Sequence, residues 1–103
     1  MLKKYRIHLF RNIIKYSEWL FNPQPKTILY FYKEWQDIYN TMKNEAKNIT
    51  FIDQFPQSIS TFKQLISPYN NSGVLVVFDD CEQEFVANMD IYKEIWTILG
   101  IIN

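Results

Sequence analysis

Apolar residues near the start of the chain recur at helical spacing. Between 5 and 21, Ile7, Phe10, Ile13, Ile14, Trp19 and Leu20 fall mostly three, four or seven apart, which is the period of one face of an amphipathic helix. Asn22-Pro23-Gln24-Pro25 ends the pattern, because proline supplies no amide donor and biases the residue before it away from helix. The run 27–32, Thr-Ile-Leu-Tyr-Phe-Tyr, is apolar and aromatic without alternation, so it predicts a strand covered on both faces. From 33 to 47 helical spacing returns with Trp35, Ile38, Tyr39 and Met42, while Glu34, Asp37, Lys43 and Glu45 are available for the wet face.

The second half repeats this alternation. Residues 49–52 predict a short strand, and Pro56 with Ser58 introduces a helix over 57–66 that Ser67-Pro68 closes. Tyr69-Asn70-Asn71-Ser72-Gly73 has the chemistry of a loop. Val-Leu-Val-Val-Phe, opening the strand predicted over 74–79, is the most hydrophobic stretch of five and is expected to be a buried central strand. A last helix is predicted over 86–98, with Ile91, Ile95 and Ile98 on one face and Met89, Tyr92 and Trp96 beside it. Strand alternating with helix predicts an α/β fold: a parallel, covered sheet of two to three strands with right-handed crossovers and about four helices, in one domain spanning 1–103.

Composition narrows the partners. A chain of 103 residues, 48% hydrophobic, supports one small core and not two. Lys plus Arg equals Asp plus Glu at 11 each, so no long-range field recruits nucleic acid or an anionic membrane. The single cysteine, Cys81, has no internal disulfide partner and the single His8 leaves no zinc set, which points to a reducing, intracellular setting. No apolar run reaches the ~20 residues that span a bilayer, and no signal peptide is evident, so no membrane partner is expected.

Chemistry concentrates where the apolar strand runs into Asp79-Asp80. In open parallel sheets ligands bind at the carboxyl ends of strands, and an apolar strand followed by an acidic pair is the Walker B pattern, whose first carboxylate binds Mg²⁺ beside nucleotide phosphates. The same pair also suits a strand end that caps the following helix, and with Glu82 and Glu84 it also suits a solvated acidic loop or an adventitious divalent-cation site. No Gly-x-x-x-x-Gly-Lys-Ser/Thr phosphate loop is present, since the glycines are Gly73 and Gly100 alone. Tyr30, Phe31, Tyr32, Trp35 and Tyr39 read as core rather than as a stacking platform for single-stranded nucleic acid, because no basic stripe accompanies them. His8 reads as a helix-surface residue, Cys81 as a plain thiol beside acids, and Lys3, Lys4 and Arg6 as solvated charges.

Taken in order, Ile28-Leu29-Tyr30-Phe31-Tyr32-Lys33-Glu34-Trp35-Gln36-Asp37-Ile38-Tyr39, then Ile49-Thr50-Phe51-Ile52 with Phe55-Pro56, then Gly73-Val74-Leu75-Val76-Val77-Phe78-Asp79-Asp80, resemble the middle of the poxvirus-type viral DNA-packaging ATPases. That family belongs to the FtsK-HerA group of P-loop motors, and similar enzymes occur in adenovirus-like and Polinton-type elements. The resemblance covers roughly residues 9 to 98. It implies a partial P-loop-type three-layer sandwich, with Asp79 as the Mg²⁺ ligand, Asp80 as the water-activating carboxylate, and Gln36 and Tyr39 at family-matched positions of underived role.

The same resemblance implies Mg²⁺ and ATP as cofactors of the intact family, and hydrolysis coupled to pumping double-stranded DNA into a capsid, in a host cytoplasm, nucleus or viral factory. Without the phosphate loop, and with no sensor strand or arginine-bearing element after Asp80, this chain is expected to be a truncated fragment, inactive alone and holding neither cofactor tightly. DNA would then be a partner only through the parent motor. A second expectation is a non-catalytic interaction module that self-associates or docks onto an intact motor subunit, Val74 to Phe78 lying at an unpaired sheet edge. A third is a small globular protein unrelated to motors, in which the acidic pair is a helix cap.

Overall fold

The computed structural model describes residues 2–69, 73–91 and 93, with side chains from residue 7 onward except those of Glu82 and Phe85. Its order is α1 (Leu2–Lys15), α2 (Ser17–Leu20), β1 (Thr27–Phe31), α3 (Ile38–Glu45), β2 (Ile49–Ile52), α4 (Ile59–Ile66), a 3₁₀ turn (Ser67–Tyr69), β3 (Val74–Phe78) and α5 (Glu82–Ala87). The three strands form one parallel sheet in the order β2-β1-β3. The expected α/β class with a small parallel sheet is therefore the observed one.

Strand position differs from expectation. Thr27–Phe31 is the central strand, paired to Ile49–Ile52 on one side and Val74–Phe78 on the other, whereas β3 lies at an edge among the described residues. The burial follows: four of the five β1 residues are buried, against Val77 alone in β3. Hydrophobicity predicted a strand at 74–78 correctly but could not rank it, because one apolar face and one apolar edge look alike in sequence.

Alternation along the strands sorts side chains between two layers. Ile28 and Tyr30 of β1 and Leu75 and Val77 of β3 meet Ile14, Tyr39 and Met42 of α1 and α3 on one face. Leu29 and Phe31 of β1 meet Phe55 and, from α4, Phe62 and Ile66 on the other, with Val74, Val76, Phe78 and Ile91 packed around them. Helices on both faces of a parallel sheet remove its apolar surfaces from water, which is the three-layer arrangement. Arg11 clasps Glu45 through Nε–Oε1 at 2.8 Å and Nη2–Oε2 at 3.1 Å, and Lys15 joins at 3.4 Å, tying α1 to α3 at the rim.

Helix boundaries moved for local reasons. The helix expected over 5–21 breaks at Tyr16 (φ −105°, ψ 23°), whose carbonyl accepts from both Trp19 and Leu20. The break turns Ser17 inward and leaves Trp19 80% and Leu20 58% exposed, so neither joins the core face assigned to them. The helix expected over 33–47 is shorter: after β1 the chain turns through Lys33 to Asp37, and Gln36 carbonyl accepts from Tyr39 to start α3 at Ile38. Ala46, extended at φ −133°, ends it before Lys47. After the acidic pair and Cys81, helix begins at Glu82, ahead of the expected start at Val86, which is exposed; it runs to Ala87, Asn88 is a turn, and residues 89–91 and 93 are helical again within the predicted span. Of its expected core face only Ile91 falls among the described residues, packed as predicted, while Ile95 and Ile98 lie outside them.

Two local devices hold the connections. Gly73 takes φ +80°, a region that costs other residues strain, and from there its carbonyl accepts from Lys26 to open the β1–β3 ladder. Ser58 caps α4, its Oγ accepting from Thr61 N at 3.1 Å. Among the described residues no helix is long and apolar enough to cross a membrane.

Replacing the fully buried Phe62 by Ala should lower stability by about 3–5 kcal/mol, and Ser58→Ala by about 1 kcal/mol. Urea unfolding followed by circular dichroism measures both, and equal losses would contradict the packing assigned to α4.

Candidate functional site

The acidic pair emerges at the carboxyl end of β3, and the two residues take different paths. The ladder runs one residue past the strand, Asp79 N donating to Phe31 carbonyl at 2.9 Å. Side-chain alternation therefore continues through Leu75 and Val77 to residue 79, which falls on the α1–α3 face. Asp80 then takes φ 59°, a left-handed conformation that aspartate tolerates better than most residues, and the chain turns into α5.

Asp79 is 1% exposed. Its Oδ2 accepts from Tyr30 hydroxyl at 2.8 Å and from Tyr39 hydroxyl at 2.6 Å, joining β3 to β1 and α3 through one atom. Oδ1 is equally buried and has no hydrogen-bond partner among the described residues. The two phenols stay protonated donors: burial first, and the neighbouring Asp79 carboxylate with it, pushes both well above the ordinary tyrosine range. Their rings pack edge to face at 5.2 Å and continue into Phe51, Tyr32 and Trp35, so the aromatic layer fixes where the hydroxyls point.

This geometry revises the cap alternative for Asp79, whose carboxylate reaches back to two tyrosines and not forward to the amides of α5. Tyr39, family-matched without a role in the sequence, proves to be a hydrogen-bond partner of Asp79. Gln36 does not join them: among the described residues its side chain donates to Glu34 carbonyl at 3.4 Å, and its backbone carbonyl helps start α3. Asp80 is half-buried at the turn. Tyr30, which sequence reasoning assigned only to the core, is the partner it missed. The signal was available in strand parity: positions 28 and 30 of β1 share a face with 75, 77 and 79 of β3 once the register Tyr30↔Val77 is known.

Nearby groups are quiet. Cys81 is buried, its Sγ donating weakly to Asp79 carbonyl at 3.4 Å, and burial reinforced by Glu84, Asp79 and Asp80 pushes the thiol up to about 12. Lys33 approaches Gln83 Oε1 at 3.2 Å and Glu84 at 3.8 Å, linking the turn after β1 to α5. His8 is exposed on α1, as expected, and the side chains of Lys3, Lys4 and Arg6 lie outside the description.

Among the described residues two buried carboxylate oxygens have no hydrogen-bond partner, Asp79 Oδ1 at the strand end and Glu84 Oε2 on α5, and both are closed to solvent. Among the described residues no three His, Cys, Asp or Glu side chains converge to hold a metal. A lone carboxylate fits Mg²⁺ only in the mode where waters and nucleotide phosphates fill the remaining positions. Comparison with family models, curated proteins and solved structures finds no match to this chain.

Tyr39→Phe leaves the ring and removes one donor from a buried carboxylate, so it should cost about 1–3 kcal/mol. Adding Tyr30→Phe should cost more than the sum of the singles, because the second loss leaves Oδ2 with neither hydroxyl. The alkaline limb carries the same signature. Each phenol is raised in the folded state, so its stabilisation is complete below about pH 10 and is lost as pH rises beyond that, where the unfolded chain has already released the protons. The Tyr30→Phe, Tyr39→Phe variant should lose stability less steeply above that pH than the parent, read from urea midpoints at stepped pH. Cys81 should also resist iodoacetamide at mildly alkaline pH until denaturant is added.

Proposed function

We propose that these residues are the acidic-strand portion of a DNA-packaging ATPase core of the FtsK-HerA type, inactive in ATP hydrolysis as an isolated chain. One observation carries this reading: at the carboxyl end of a parallel strand, Asp79 has one oxygen held by two tyrosines and the other bare. A carboxylate so restrained is oriented before any ligand arrives, as outer-shell donors orient metal-binding groups. On this reading Asp79 Oδ1, closed to solvent in this structure, would meet Mg²⁺ only once uncovered, and Tyr30 and Tyr39 are positioning residues for it. Asp80, set by its left-handed turn, is the candidate water-activating group.

The metal, when bound with ATP, neutralises developing charge on the phosphates. This chain's own residues contribute the oriented carboxylate and a dry aromatic floor beneath it. They include no glycine-rich loop or lysine to cradle the β and γ phosphates, so acids alone would face the nucleotide's negative charge. Turnover therefore requires a phosphate loop from outside these residues, and DNA meets the protein only through the assembled motor. An intracellular setting, host cytoplasm, nucleus or viral factory, goes with this reading.

Among the described residues β3 is an edge strand, which favours a second reading, a non-catalytic module that self-associates or docks onto another subunit. The two readings are compatible in one molecule, since a subunit that cannot turn over can still occupy a place in an assembly.

Purified chain with Mg²⁺ and ATP should release phosphate no faster than buffer. Mg²⁺-dependent turnover that Asp79→Asn abolishes would overturn the inactivity. The coding sequence upstream of Met1 should contain Gly-x-x-x-x-Gly-Lys-Thr in one of its frames, and its absence there would count against the motor reading.

A further inference from the structure

The first helix has two apolar faces, and the core accounts for one of them. Ile7 and Ile14, seven positions apart, are buried, and Ile14 belongs to the core layer that holds Tyr30 and Met42. Leu9 and Tyr16 are also seven apart. Each stands two positions beyond its buried counterpart, roughly 200° round the helix axis and so on the opposite side, where Leu9 is 56% and Tyr16 47% exposed. Trp19 N and Leu20 N both donate to Tyr16 carbonyl, which places these two exposed side chains one turn beyond Tyr16. A surface helix ordinarily needs a single apolar stripe. The four exposed residues leave roughly 500 Å² of mainly apolar surface in water, at the upper end of what a monomer carries.

Charge balances over the whole chain but not along it. Residues 1–16 hold five of the 11 basic residues, Lys3, Lys4, Arg6, Arg11 and Lys15, and none of the 11 acids. Glu45 meets Arg11 and Lys15 with one negative charge and Glu18 brings another, so five positive charges against two negative leave an excess of three. Cation and aromatic meet on one patch, Lys15 Nζ standing 5.6 Å from the centroid of the Tyr16 ring.

We infer that this outer face of α1 and α2 lies on the surface of an anionic lipid bilayer, with Leu9, Tyr16, Trp19 and Leu20 in the headgroup region and the basic residues of α1 among the phosphates. Other occupants fit the observations less well. A second copy would bring two basic helices together, like charge against like. Nucleic-acid phosphates would engage the cations but give Leu9 and Leu20 nothing to bury against. A protein groove requires a seam of fixed register, whereas this stripe passes through the kink at Tyr16 (φ −105°, ψ 23°); a fluid interface asks only for the depth that tryptophan and tyrosine favour. Lying on a bilayer needs no run of apolar residues long enough to cross one. The inference stands apart from the ATPase and docking readings, because nothing at the carboxyl end of β3 takes part in it.

Cosedimentation of the full chain with sucrose-loaded vesicles tests this, using phosphatidylcholine alone or an equimolar mixture with phosphatidylglycerol. The parent should pellet with the mixed vesicles at low ionic strength, remain in solution with phosphatidylcholine, and release as salt is added. Trp19→Ser with Leu20→Ser should weaken binding on the order of a hundredfold, and Lys3→Gln or Lys4→Gln roughly fivefold each. Because Trp19 and Leu20 are exposed, the circular dichroism spectrum of their variant should match the parent's. Trp19→Phe gives a second measurement that keeps the apolar surface: it should still bind, while the blue shift of tryptophan emission that mixed vesicles induce in the parent is lost. A parent that stays in solution with mixed vesicles at low salt overturns the inference. So does binding that the serine variant retains in full or that brings no blue shift, since either means charge attraction without insertion. Capture by a DNA duplex that displaces the vesicles and ignores the serine changes, or a twofold mass in light scattering that those changes halve, would assign the face to nucleic acid or to a second copy and overturn it as well.

Discussion

A carboxylate withdrawn from water is stable in a folded chain only where donors reach it, and Asp79 meets two through one atom. Because the donors come from β1 and α3 while the acceptor ends β3, satisfying this group requires the central strand, its covering helix and the edge strand to be in place together. The aromatic layer serves the same end. Tyr30 and Tyr39 contact each other and Phe51, so their hydroxyls are held by ring packing before they are held by the carboxylate. Deleting either hydroxyl and deleting the acid are accordingly different perturbations. The first leaves a buried charge short of a donor, and the second leaves two neutral hydroxyls that lose an acceptor.

The arrangement separates two adjacent acids that composition treats as equals. Asp79 obeys the parity of its strand and enters the aromatic layer, while Asp80 leaves strand geometry altogether at φ 59°. One is a fixed acceptor beneath the sheet end and the other sits at the turn above it. That division leaves a restrained oxygen beside a polar turn at the carboxyl end of β3, the end at which open parallel sheets bind their ligands.

Much of the fold was legible because its signals are local. Helical spacing located α1, α3 and α4, proline and serine placed the breaks, and uniform apolar runs located the strands nearly to the residue. What failed depended on contacts between distant positions. The rank of strands within the sheet, the outward turn of Trp19 and Leu20 after Tyr16, and the non-helical turn through Lys33 to Asp37 before α3 follow from how elements meet, and no window of sequence contains that. The site divides the same way. Asp79 and Asp80 stood out as charges ending an apolar strand, but the partnership of Tyr30 with Asp79 spans 49 positions and becomes visible only through the register.

The alternation that delivers Asp79 to its tyrosines has a consequence for how this strand can vary. Between Gly73, which needs its positive φ, and Asp79, the number of residues is fixed in parity as firmly as any side chain is fixed in identity. Losing or gaining one residue there would turn Leu75 and Val77 to the opposite layer and send the acid into the apolar packing of Phe62 and Ile66. Conservative substitutions within β3 are therefore mild compared with single-codon insertions or deletions, which would invert the strand without changing its composition.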